Sequence, residues 1–545
     1  MRAISTETDG SSGGARSPNL VLVLVDDMGY SDLGCYGGEV RTPAIDGLAR
    51  GGVRLAHFYN TARCSPSRAS LLTGLHPHQT GIGILTNDDR PEGYPGSLNG
   101  RCVTAAELLR DNGYATAMCG KWHLSAQMTE PDESWPTRRG FEHFFGSLTG
   151  CGSYYQPKTL FRGEENAEDE ALAPDFFYTD AISDEAVRYI HAHDAVRPFF
   201  LYVAYTAPHW PLHALEDDIG SYDGVFDAGW DELRERRLQR LVDEGLFSSA
   251  ALASGRDPTQ PAWVDAPHRD WQLRRMQTYA AQLTCVDRGV ERIVAALSET
   301  GALDDTLIIL LSDNGASAED LPLISAERFA TRSDILPRAT RAGERIRVGN
   351  SPDISPGPED TYSSYGRAWA NLSNTPFRFY KRWVHEGGIA APFIVHWPAG
   401  GLATGSVQST AFQLTDVLPT MLEAAGVADG TPARADAVPR EGTSMLAALR
   451  GGEGEAHPLF WEHTGNAAVR LGSWKLVRAD PGPWELYDID RDPAELDNRA
   501  ADHPDVVTEL VARWNAWAEH VGVIPWDVIV ELYRRRGASA DEAAG

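Results

Sequence analysis

The sequence has no apolar run near its start that is long enough to cross a bilayer. The longest one there, Leu20 to Val25, covers a fraction of a span, and no basic segment precedes it, so no export signal is visible. The 6 cysteines are scattered without CxxC spacing, which indicates neither a zinc cluster nor a dense disulfide framework. Together these absences predict a cytoplasmic protein with no membrane partner.

Basic residues are scarce relative to acidic ones. The chain has 49 Lys and Arg against 77 Asp and Glu, which gives a formal net charge of -28. A field of this sign repels nucleic acid and anionic lipid, so we expect no nucleic-acid partner. It also repels a small anionic substrate, so any anion site must be a local concentration of cations that overcomes the overall charge.

Apolar and aromatic residues are plentiful: the sequence is 42% hydrophobic and has 15 Trp, 18 Tyr and 17 Phe. This supplies enough apolar surface to offset the entropy of ordering the chain. At 545 residues, we expect one large domain with a smaller appendage, or two comparable domains. A Gly- and Glu-rich segment from Gly451 to His457 suggests the boundary. We therefore predict a flexible leader over 1–17, a main domain over 18–450 and a small C-terminal subdomain over 451–545.

Four short apolar runs are typical of buried strands in a parallel sheet. They are Asn19–Val25, Ala115–Cys119, Pro198–Tyr205 and Thr306–Leu311. Helical patterns lie between them: a capping box at Thr104 and Glu107 opens one helix, and a longer helix is expected over about 270–300. This alternation predicts an α/β fold in which a large, mixed, mostly parallel sheet is sandwiched by helices.

The C-terminal region has a different pattern. Trp474–Val477 and Trp484–Tyr487 are predicted as short strands of a smaller antiparallel sheet, followed by a final helix over about Val506–His520. Two other segments, acidic 163–170 and the long stretch from Ala316 to about Asn374, are interpreted as loops. We expect the second to shape the substrate entrance.

Polar residues follow each predicted central strand. Asp26 and Asp27 follow the first strand, Lys121 and His123 the second, His209 the third, and Asp313 and Asn314 the fourth. Because ligands bind beyond the carboxyl ends of parallel strands, these side chains should converge on one rim. Three carboxylates and an amide oxygen suit calcium or magnesium. Either acidic pair alone is more often a turn or a helix cap, but two pairs at one rim favour a metal site.

The segment Cys64-Ser-Pro-Ser-Arg68 predicts a helix with Cys64 at its N-terminus, because Pro66 suits a helix start and Gly74 a helix end. Unpaired N–H groups and the helix dipole favour anions there, and Arg68 offers a bidentate fork to a tetrahedral oxyanion. An isolated cysteine is usually a small buried hydrophobe. The surrounding motif, rather than the thiol, therefore carries the functional interpretation.

Cys-x-Pro-Ser-Arg followed by Leu-Thr-Gly resembles the signature of the formylglycine-dependent, type I sulfatases of the alkaline phosphatase superfamily, and the chain is most similar to bacterial arylsulfatases. The resemblance covers nearly the whole chain and runs through Val25–Asp32, Gly120–Leu124, Ala207–Pro211, Ser312–Gly315 and Tyr380-Lys381 ahead of Gly387-Gly388. It implies an alkaline phosphatase-like fold, a catalytic domain over 18–450, and hydrolysis of sulfate monoesters, with aryl sulfates as the expected substrates. One departure is Ser125, where many relatives have Gly.

The resemblance also implies roles for single residues. A formylglycine-generating enzyme would oxidise Cys64, and the site would bind one divalent cation, with calcium as the expected ion and magnesium as the alternative. The implied metal ligands are Asp26, Asp27, Asp313, Asn314 and an oxygen of modified residue 64. The implied roles of the other site residues are that Arg68 holds the modified side chain, Lys121 and Lys381 contact the sulfate, and His209 and His123 move protons. One hydroxyl of hydrated formylglycine would attack sulfur, His209 would protonate the leaving oxygen, and His123 would deprotonate the second hydroxyl.

Two alternatives remain open at this point. The same metal centre accommodates phosphorus, which would give a formylglycine-dependent phosphonate monoester or phosphodiester hydrolase. With Cys64 left as a thiol, the chain would be a non-catalytic anion-binding homologue, although acid-base groups on both sides of a metal argue against that. Trp210, Tyr154 and Tyr155 are candidates for an aryl pocket, with ordinary packing as the simpler interpretation. The residues His76, His78 and His213 receive no role.

Overall fold

The computed structural model describes residues 17–323, 332–428 and 436–537. The predicted leader lies outside these ranges except for Ser17, and part of the stretch from Ala316 to Asn374 lies outside them as well. Within the described ranges all 6 cysteines are free thiols. None of the helices in these ranges is both long enough and apolar enough to cross a membrane.

A sheet of 10 strands forms the centre of the described part of the chain. In sheet order the strands are Ser406–Gln408, Val53–Leu55, Phe393–His396, Thr306–Ser312, Asn19–Val25, Phe199–Ala204, Ala115–Gly120, His143–Ser147, Leu160–Arg162 and Glu165–Asn166. The four strands predicted from the sequence are adjacent and mutually parallel. Antiparallel pairs occur towards the two ends of the sheet. The predicted mixed, mostly parallel sheet is confirmed.

Helices cover both faces of this sheet. Side chains alternate along each strand, so both faces present apolar side chains that the helices bury. In the strand Asn19–Val25, Val21 and Val23 enter one apolar core, and Leu22 and Leu24 enter the other. The helices on the first face are Pro43–Arg50, Tyr178–Ala192, Gly229–Asp243 and Arg269–Glu299. The helices on the second face are Cys64–Thr73, Ala105–Asp111, Val417–Ala425 and Leu446–Leu449. Shorter or more peripheral helices are Pro77–Thr80, Glu216–Gly220, Gly366–Ser373 and Glu386–Ile389.

A separate antiparallel sheet lies near the C-terminus, as predicted. Its strands are Leu459–His463, Asn466–Leu471, Trp474–Arg478 and Glu485–Asp488. The helix Pro504–Val521 packs on it through Leu510 and Trp514. The prediction that this helix is the last one was wrong, because Trp526–Arg535 follows and packs Ile529 against Tyr94 of the main body. The apolar face of this short helix packs against a segment that is distant in sequence. Its hydrophobic pattern alone was therefore too short to predict the helix.

The interpretation of residues 316–374 as loop was partly wrong. The described part contains the paired strands Arg347–Val348 and Thr361–Tyr362 and the helix Gly366–Ser373. Likewise, the acidic segment 163–170 includes the strand Glu165–Asn166 at the sheet edge. These elements are only 2 to 8 residues long, too short to show a clear hydrophobic period.

Candidate active site

The carboxyl ends of two neighbouring strands bring the predicted acidic residues together. Asp26 and Asp27 directly follow Asn19–Val25, which pairs with Thr306–Ser312 up to its last residue. Asp313 and Asn314 follow that second strand, and the backbone N–H of Asp27 donates to Asp313 Oδ1 at 3.2 Å. These four polar side chains are all buried, with at most 1% of each residue exposed.

Cys64 is the first residue of the helix Cys64–Thr73, which ends at Gly74 in the left-handed conformation with φ of 65°. Its Sγ lies 3.5 Å from Asp26 Oδ1 and 3.8 Å from Asp27 Oδ1. Burial, which outweighs the nearby cations, raises the pKa of the Cys64 thiol well above its ordinary value. Because the thiolate is the nucleophilic form of cysteine, unmodified Cys64 is poorly suited to attack.

The acidic group is suited to a divalent cation. Asp26, Asp27, Cys64 and His209 each place a potential ligand atom within 4.8 Å of the others. Asn314 donates from Nδ2 to Asp27 Oδ1 at 2.6 Å, and its buried Oδ1 has no hydrogen-bond partner. Burial, followed by the charge of Asp26, raises the pKa of Asp313 to about 6. Crowded carboxylates and an unpaired amide oxygen form the hard oxygen-donor set that calcium and magnesium prefer.

Three cations surround these carboxylates. Arg68 donates from Nη2 to Asp313 Oδ2 at 2.8 Å, and from Nη1 to the carbonyl of Lys121 at 3.0 Å. Lys121 Nζ lies 2.5 Å from Asp26 Oδ2, and Lys381 Nζ lies 2.9 Å from Asp27 Oδ2. The three cations match the charges of Asp26, Asp27 and Asp313. A divalent cation bound here would therefore supply the local positive charge that an anion site needs against a net charge of -28.

The two predicted histidines lie at the same centre. His209 donates from Nδ1 to the carbonyl of Trp210 at 2.7 Å, which leaves Nε2 free to face Lys381 Nζ at 3.2 Å. His123 is held in a left-handed conformation with φ of 54°, and its buried Nδ1 has no hydrogen-bond partner. Gly150 makes room for it, because a Cβ there would lie 2.3 Å from His123 Cε1. Burial lowers the pKa of both histidines, that of His209 to about 4.

A cavity of about 130 Å³ gives access to this centre. Its lining includes the predicted catalytic residues Cys64, His123, His209 and Lys381. It also includes an apolar set, namely Leu85, Met128, Trp210 and Ile335. A larger cavity of about 950 Å³ shares Glu319 and Lys381 with it. The structure therefore places these four predicted residues around one pocket.

Tyr154 and Tyr155 have packing roles. The Tyr154 hydroxyl donates to the carbonyls of Thr206 and His209, and the Tyr155 hydroxyl donates to the carbonyl of Gly357. The histidines without an assigned role make local contacts: His78 with Glu462, His213 with the Thr361 carbonyl, and His76 with the ring of Trp517.

Three charged residues of the cavity lining were not predicted, namely Arg63, Glu319 and Arg332. Arg63 Nη1 lies 3.0 Å from Glu319 Oε1, and Glu319 Oε2 accepts a hydrogen bond from Trp210 Nε1 at 2.6 Å. Arg63 directly precedes the cysteine motif, and Glu319 lies five residues after Asn314 in a segment interpreted as loop. The only available signal was that Arg63 and Glu319 lie close in sequence to recognised motifs. That proximity did not indicate that their side chains point into the cavity.

Comparison with known proteins assigns the family. The Sulfatase family model matches residues 18–427, and the model described as N-sulphoglucosamine sulphohydrolase, C-terminal, matches residues 377–518. The chain belongs to the sulfatase family. It is a sulfuric ester hydrolase, and the family implies a divalent metal and a formylglycine.

Relatives of this sulfatase extend over most of the chain. An uncharacterized sulfatase of Schizosaccharomyces pombe is 31% identical over 95% of this chain and 96% of its own length. An arylsulfatase of Klebsiella aerogenes is 30% identical over 80% of this chain and 94% of its own length.

Solved structures share the fold. The crystal structure of Ps i-CgsB in complex with k-i-k-neocarrahexaose gives a TM-score of 0.65 at 24% identity, covering 92% of this chain and 93% of that one. A phosphonate monoester hydrolase of Agrobacterium radiobacter gives a TM-score of 0.54 at 20% identity, covering 92% of this chain and 96% of that one. These similarities agree with the alkaline phosphatase-like architecture.

Proposed function

We propose that this sulfatase hydrolyses aryl sulfates with residue 64 in its formylglycine form and with one divalent cation, calcium being the expected ion. The observation that carries the proposal is the position of Cys64 Sγ, 3.5 Å from Asp26 Oδ1, at the N-terminus of a buried helix. Membership of the sulfatase family supports a modified residue, because the family implies a formylglycine. A formylglycine-generating enzyme would then be needed during maturation.

The cation would be held by Asp26, Asp27, Asp313 and Asn314, together with residue 64. When bound, the cation supplies positive charge to an ester oxygen, and hydrated formylglycine supplies a hydroxyl nucleophile. The buried carboxylates support this assignment because they repel each other, and the unpaired Asn314 Oδ1 offers a further oxygen. Calcium is expected over magnesium because calcium accepts many protein oxygens as ligands, whereas magnesium usually keeps several waters.

Lys121 and Lys381 would bind and orient the sulfate oxygens. Both ammonium groups are buried and each already faces a carboxylate of the centre, so they are held in place before substrate arrives. Charges fixed in advance in a water-poor site stabilise a developing negative charge more than mobile ones do. Arg68 would hold Asp313 in position beside residue 64 through its two hydrogen bonds to Asp313 Oδ2.

The histidines would move protons on either side of the reacting group. His209 Nε2 faces the cavity beside Lys381 and lies 3.5 Å from Asp27 Oδ2. Although burial opposes the protonated imidazole, the charge of Asp27 favours it, and only that charged form would donate a proton from Nε2 to the leaving oxygen. The hydrogen bond from Nδ1 to the Trp210 carbonyl fixes this ring orientation. His123 lines the same cavity and has an unpaired Nδ1, so it would accept the proton that must leave residue 64 in the second step.

The size and lining of the cavity favour an aromatic leaving group. Its volume of about 130 Å³ is close to the roughly 150 Å³ of an apolar cavity that binds benzene. Leu85, Met128 and Ile335 offer apolar contacts, and Trp210 offers an aromatic ring. A larger substituent would extend into the cavity of about 950 Å³ that shares Lys381.

The first test is mass spectrometry of the peptide containing residue 64, from protein made with and without a formylglycine-generating enzyme. Loss of hydrogen sulfide with gain of one oxygen should accompany aryl sulfate hydrolysis. Full activity with an unmodified Cys64 would overturn the mechanism.

The choice of ion is tested by removing metal with a chelator and restoring calcium or magnesium separately. We expect calcium to restore hydrolysis and to raise the melting temperature, since an ion present at 1,000 times its dissociation constant stabilises the fold by about 4 kcal/mol. Magnesium as the better ion in both measurements would reassign the site.

Comparison of substrates tests the alternative activity. We expect a higher kcat/KM for an aryl sulfate than for an aryl phosphonate or an aryl phosphate diester. A higher value for either phosphorus ester would favour the phosphonate or phosphodiester hydrolase.

A further inference from the structure

Glu319 is a carboxylate in the wall of the catalytic cavity that the proposed mechanism does not use. Its side chain keeps 25% of its surface exposed, and it lines both the small cavity and the larger one. Its Oε1 lies 3.0 Å from Arg63 Nη1 and 3.9 Å from Lys381 Nζ, and its Oε2 accepts from Trp210 Nε1. The residue therefore places a negative charge beside a cation assigned to the sulfate.

Glu319 does not belong to the metal-binding group. Its carboxylate oxygens face Arg63, Lys381 and Trp210, none of which is assigned to the cation. Although burial opposes ionisation, Lys381 and Arg63 lower the pKa of Glu319 to about 2, so the carboxylate stays charged at working pH. Glu319 is therefore a fixed negative charge in the wall of the cavity where the substrate would bind.

A fixed negative charge affects esters according to their own charge. By Coulomb's law its repulsion of a dianion is twice its repulsion of a monoanion at the same position. A sulfate monoester carries one negative charge, whereas a phosphate monoester carries nearly two above its second pKa of about 6. At the rest of the centre the charges of Arg68, Lys121 and Lys381 match those of Asp26, Asp27 and Asp313. A bound divalent cation would leave that centre positive, which would favour the dianion.

We propose that Glu319 is a specificity-determining residue that makes the site select monoanionic esters and reject dianionic ones. This inference rests on the proposed hydrolytic function of the same cavity. Glu319 offsets part of the positive charge of Lys381, so the centre retains enough attraction for a sulfate monoester while losing the advantage it would give to a phosphate monoester.

The test is Glu319→Gln in protein carrying the modified residue 64, assayed with three esters of one nitrophenol: the sulfate, the phosphate monoester and the methyl phosphate diester. Glutamine keeps an oxygen to accept from Trp210. We expect the ratio of kcat/KM for the phosphate monoester to that for the sulfate to rise by about 10- to 100-fold. The diester carries the same charge as the sulfate, so its ratio to the sulfate should stay within about twofold of the parent value.

Two matched variants separate charge from position. Glu319→Asp keeps the charge, so its monoester-to-sulfate ratio should stay near that of the parent. Asp320→Asn removes the same charge from the neighbouring residue, which has 62% of its side chain exposed and lies beside Arg275, and it should leave the ratio unchanged. Equal changes for all three esters in Glu319→Gln would overturn the proposal and leave Glu319 as a residue that only positions Arg63 and Trp210.

Inhibition gives the same information where phosphate turnover is too slow to measure. Benzenesulfonate is a monoanion, and phenylphosphonate is a dianion at alkaline pH, with similar shape. In Glu319→Gln the ratio of their inhibition constants should shift towards phenylphosphonate by about 10-fold or more, and an unchanged ratio would refute charge selection. If the modified parent hydrolyses no sulfate, the proposed function fails instead, whatever the inhibition ratio.

Discussion

Two buried ionic groups in this sulfatase differ in how completely they are paired. The first is the catalytic centre around Asp26 and Asp27. The second, the C-terminal ion network, joins the small sheet to the main body and consists of Tyr59, Glu386, Arg470, Lys475 and Glu495. In that network Lys475 Nζ lies 2.7 Å from Glu386 Oε1 and 2.9 Å from Glu495 Oε1, and Glu386 Oε2 accepts from the Tyr59 hydroxyl at 2.9 Å.

The comparison shows that burial of charge does not by itself mark a functional site. Lys475 is as buried as Lys121, and both have short contacts to carboxylates. The difference is that the catalytic centre adjoins a cavity and keeps Asn314 Oδ1 and His123 Nδ1 without a hydrogen bond. In the C-terminal ion network Glu495 Oε1 also has no hydrogen bond, but it faces Lys475 Nζ at 2.9 Å. Unpaired polar groups beside a cavity can bind a ligand, whereas a closed network serves mainly to fix how two parts of a fold meet.

The largest expected effect is that of Cys64→Ala on hydrolysis. Removing the residue that becomes the nucleophile should lower kcat for an aryl sulfate by at least about 10⁴-fold, under conditions that install formylglycine in the parent. The unfolding transition should change little, because alanine fills most of the space of a buried cysteine. The measurements are steady-state kinetics and thermal unfolding. Parent-level activity in the variant would exclude residue 64 from the chemistry.

Much of the fold around the catalytic centre could be predicted from the sequence, because local signals determine it. The strand Asn19–Val25 is a continuous apolar run, and such runs form the centre of parallel sheets. Once the strand ends are known, the positions of Asp26 and Asp313 at one rim follow from topology. The helix at Cys64 also has a local signal, since Gly74 ends it in the left-handed conformation.

The remainder depends on contacts between distant segments. Glu319 meets Arg63 and Trp210 across separations of 256 and 109 residues, and no period or motif predicts such an encounter. Arg68 was predicted beside residue 64, but no local signal indicated that its guanidinium would donate to the carboxylate of Asp313. The C-terminal ion network was not foreseen either, because Lys475 resembles any polar residue of a short strand.

A matched pair of lysine variants tests the contrast directly. Lys381→Met should lower kcat/KM for an aryl sulfate by about 10²- to 10³-fold, because a charge aimed at the sulfate is lost. Lys475→Met should leave kcat/KM per folded molecule near the parent value but reduce the free energy of unfolding by about 3–5 kcal/mol, because two buried carboxylates lose their partner.

Kinetics and chemical denaturation of both variants give the two measurements. If Lys475→Met were as inactive as Lys381→Met while fully folded, the C-terminal ion network would have a part in catalysis, and the distinction between a closed and an open charge cluster would fail.

His209→Asn tests whether His209 of the catalytic centre transfers a proton to the leaving oxygen. A proton donor matters most when the leaving oxygen is basic, so the loss in kcat should reach about 10²-fold for an alkyl or unsubstituted phenyl sulfate and be much smaller for a nitrophenyl sulfate. The measurement is the dependence of kcat on leaving-group pKa, which should be steeper in the variant. An equal loss for all esters would assign His209 to binding, through its contact with Lys381, rather than to proton transfer.

The smallest expected effect concerns the aryl preference. Trp210→Ala should lower kcat/KM for an aryl sulfate by about 10-fold while affecting an alkyl sulfate little, because the ring contributes contacts that only an aromatic group can match. Trp210 also donates to Glu319, so Trp210→Phe is the control: it keeps a ring and removes the donor. Retention of aryl preference in Trp210→Phe and its loss in Trp210→Ala would assign the effect to the ring. Loss in both variants would show instead that the contact with Glu319 determines the preference.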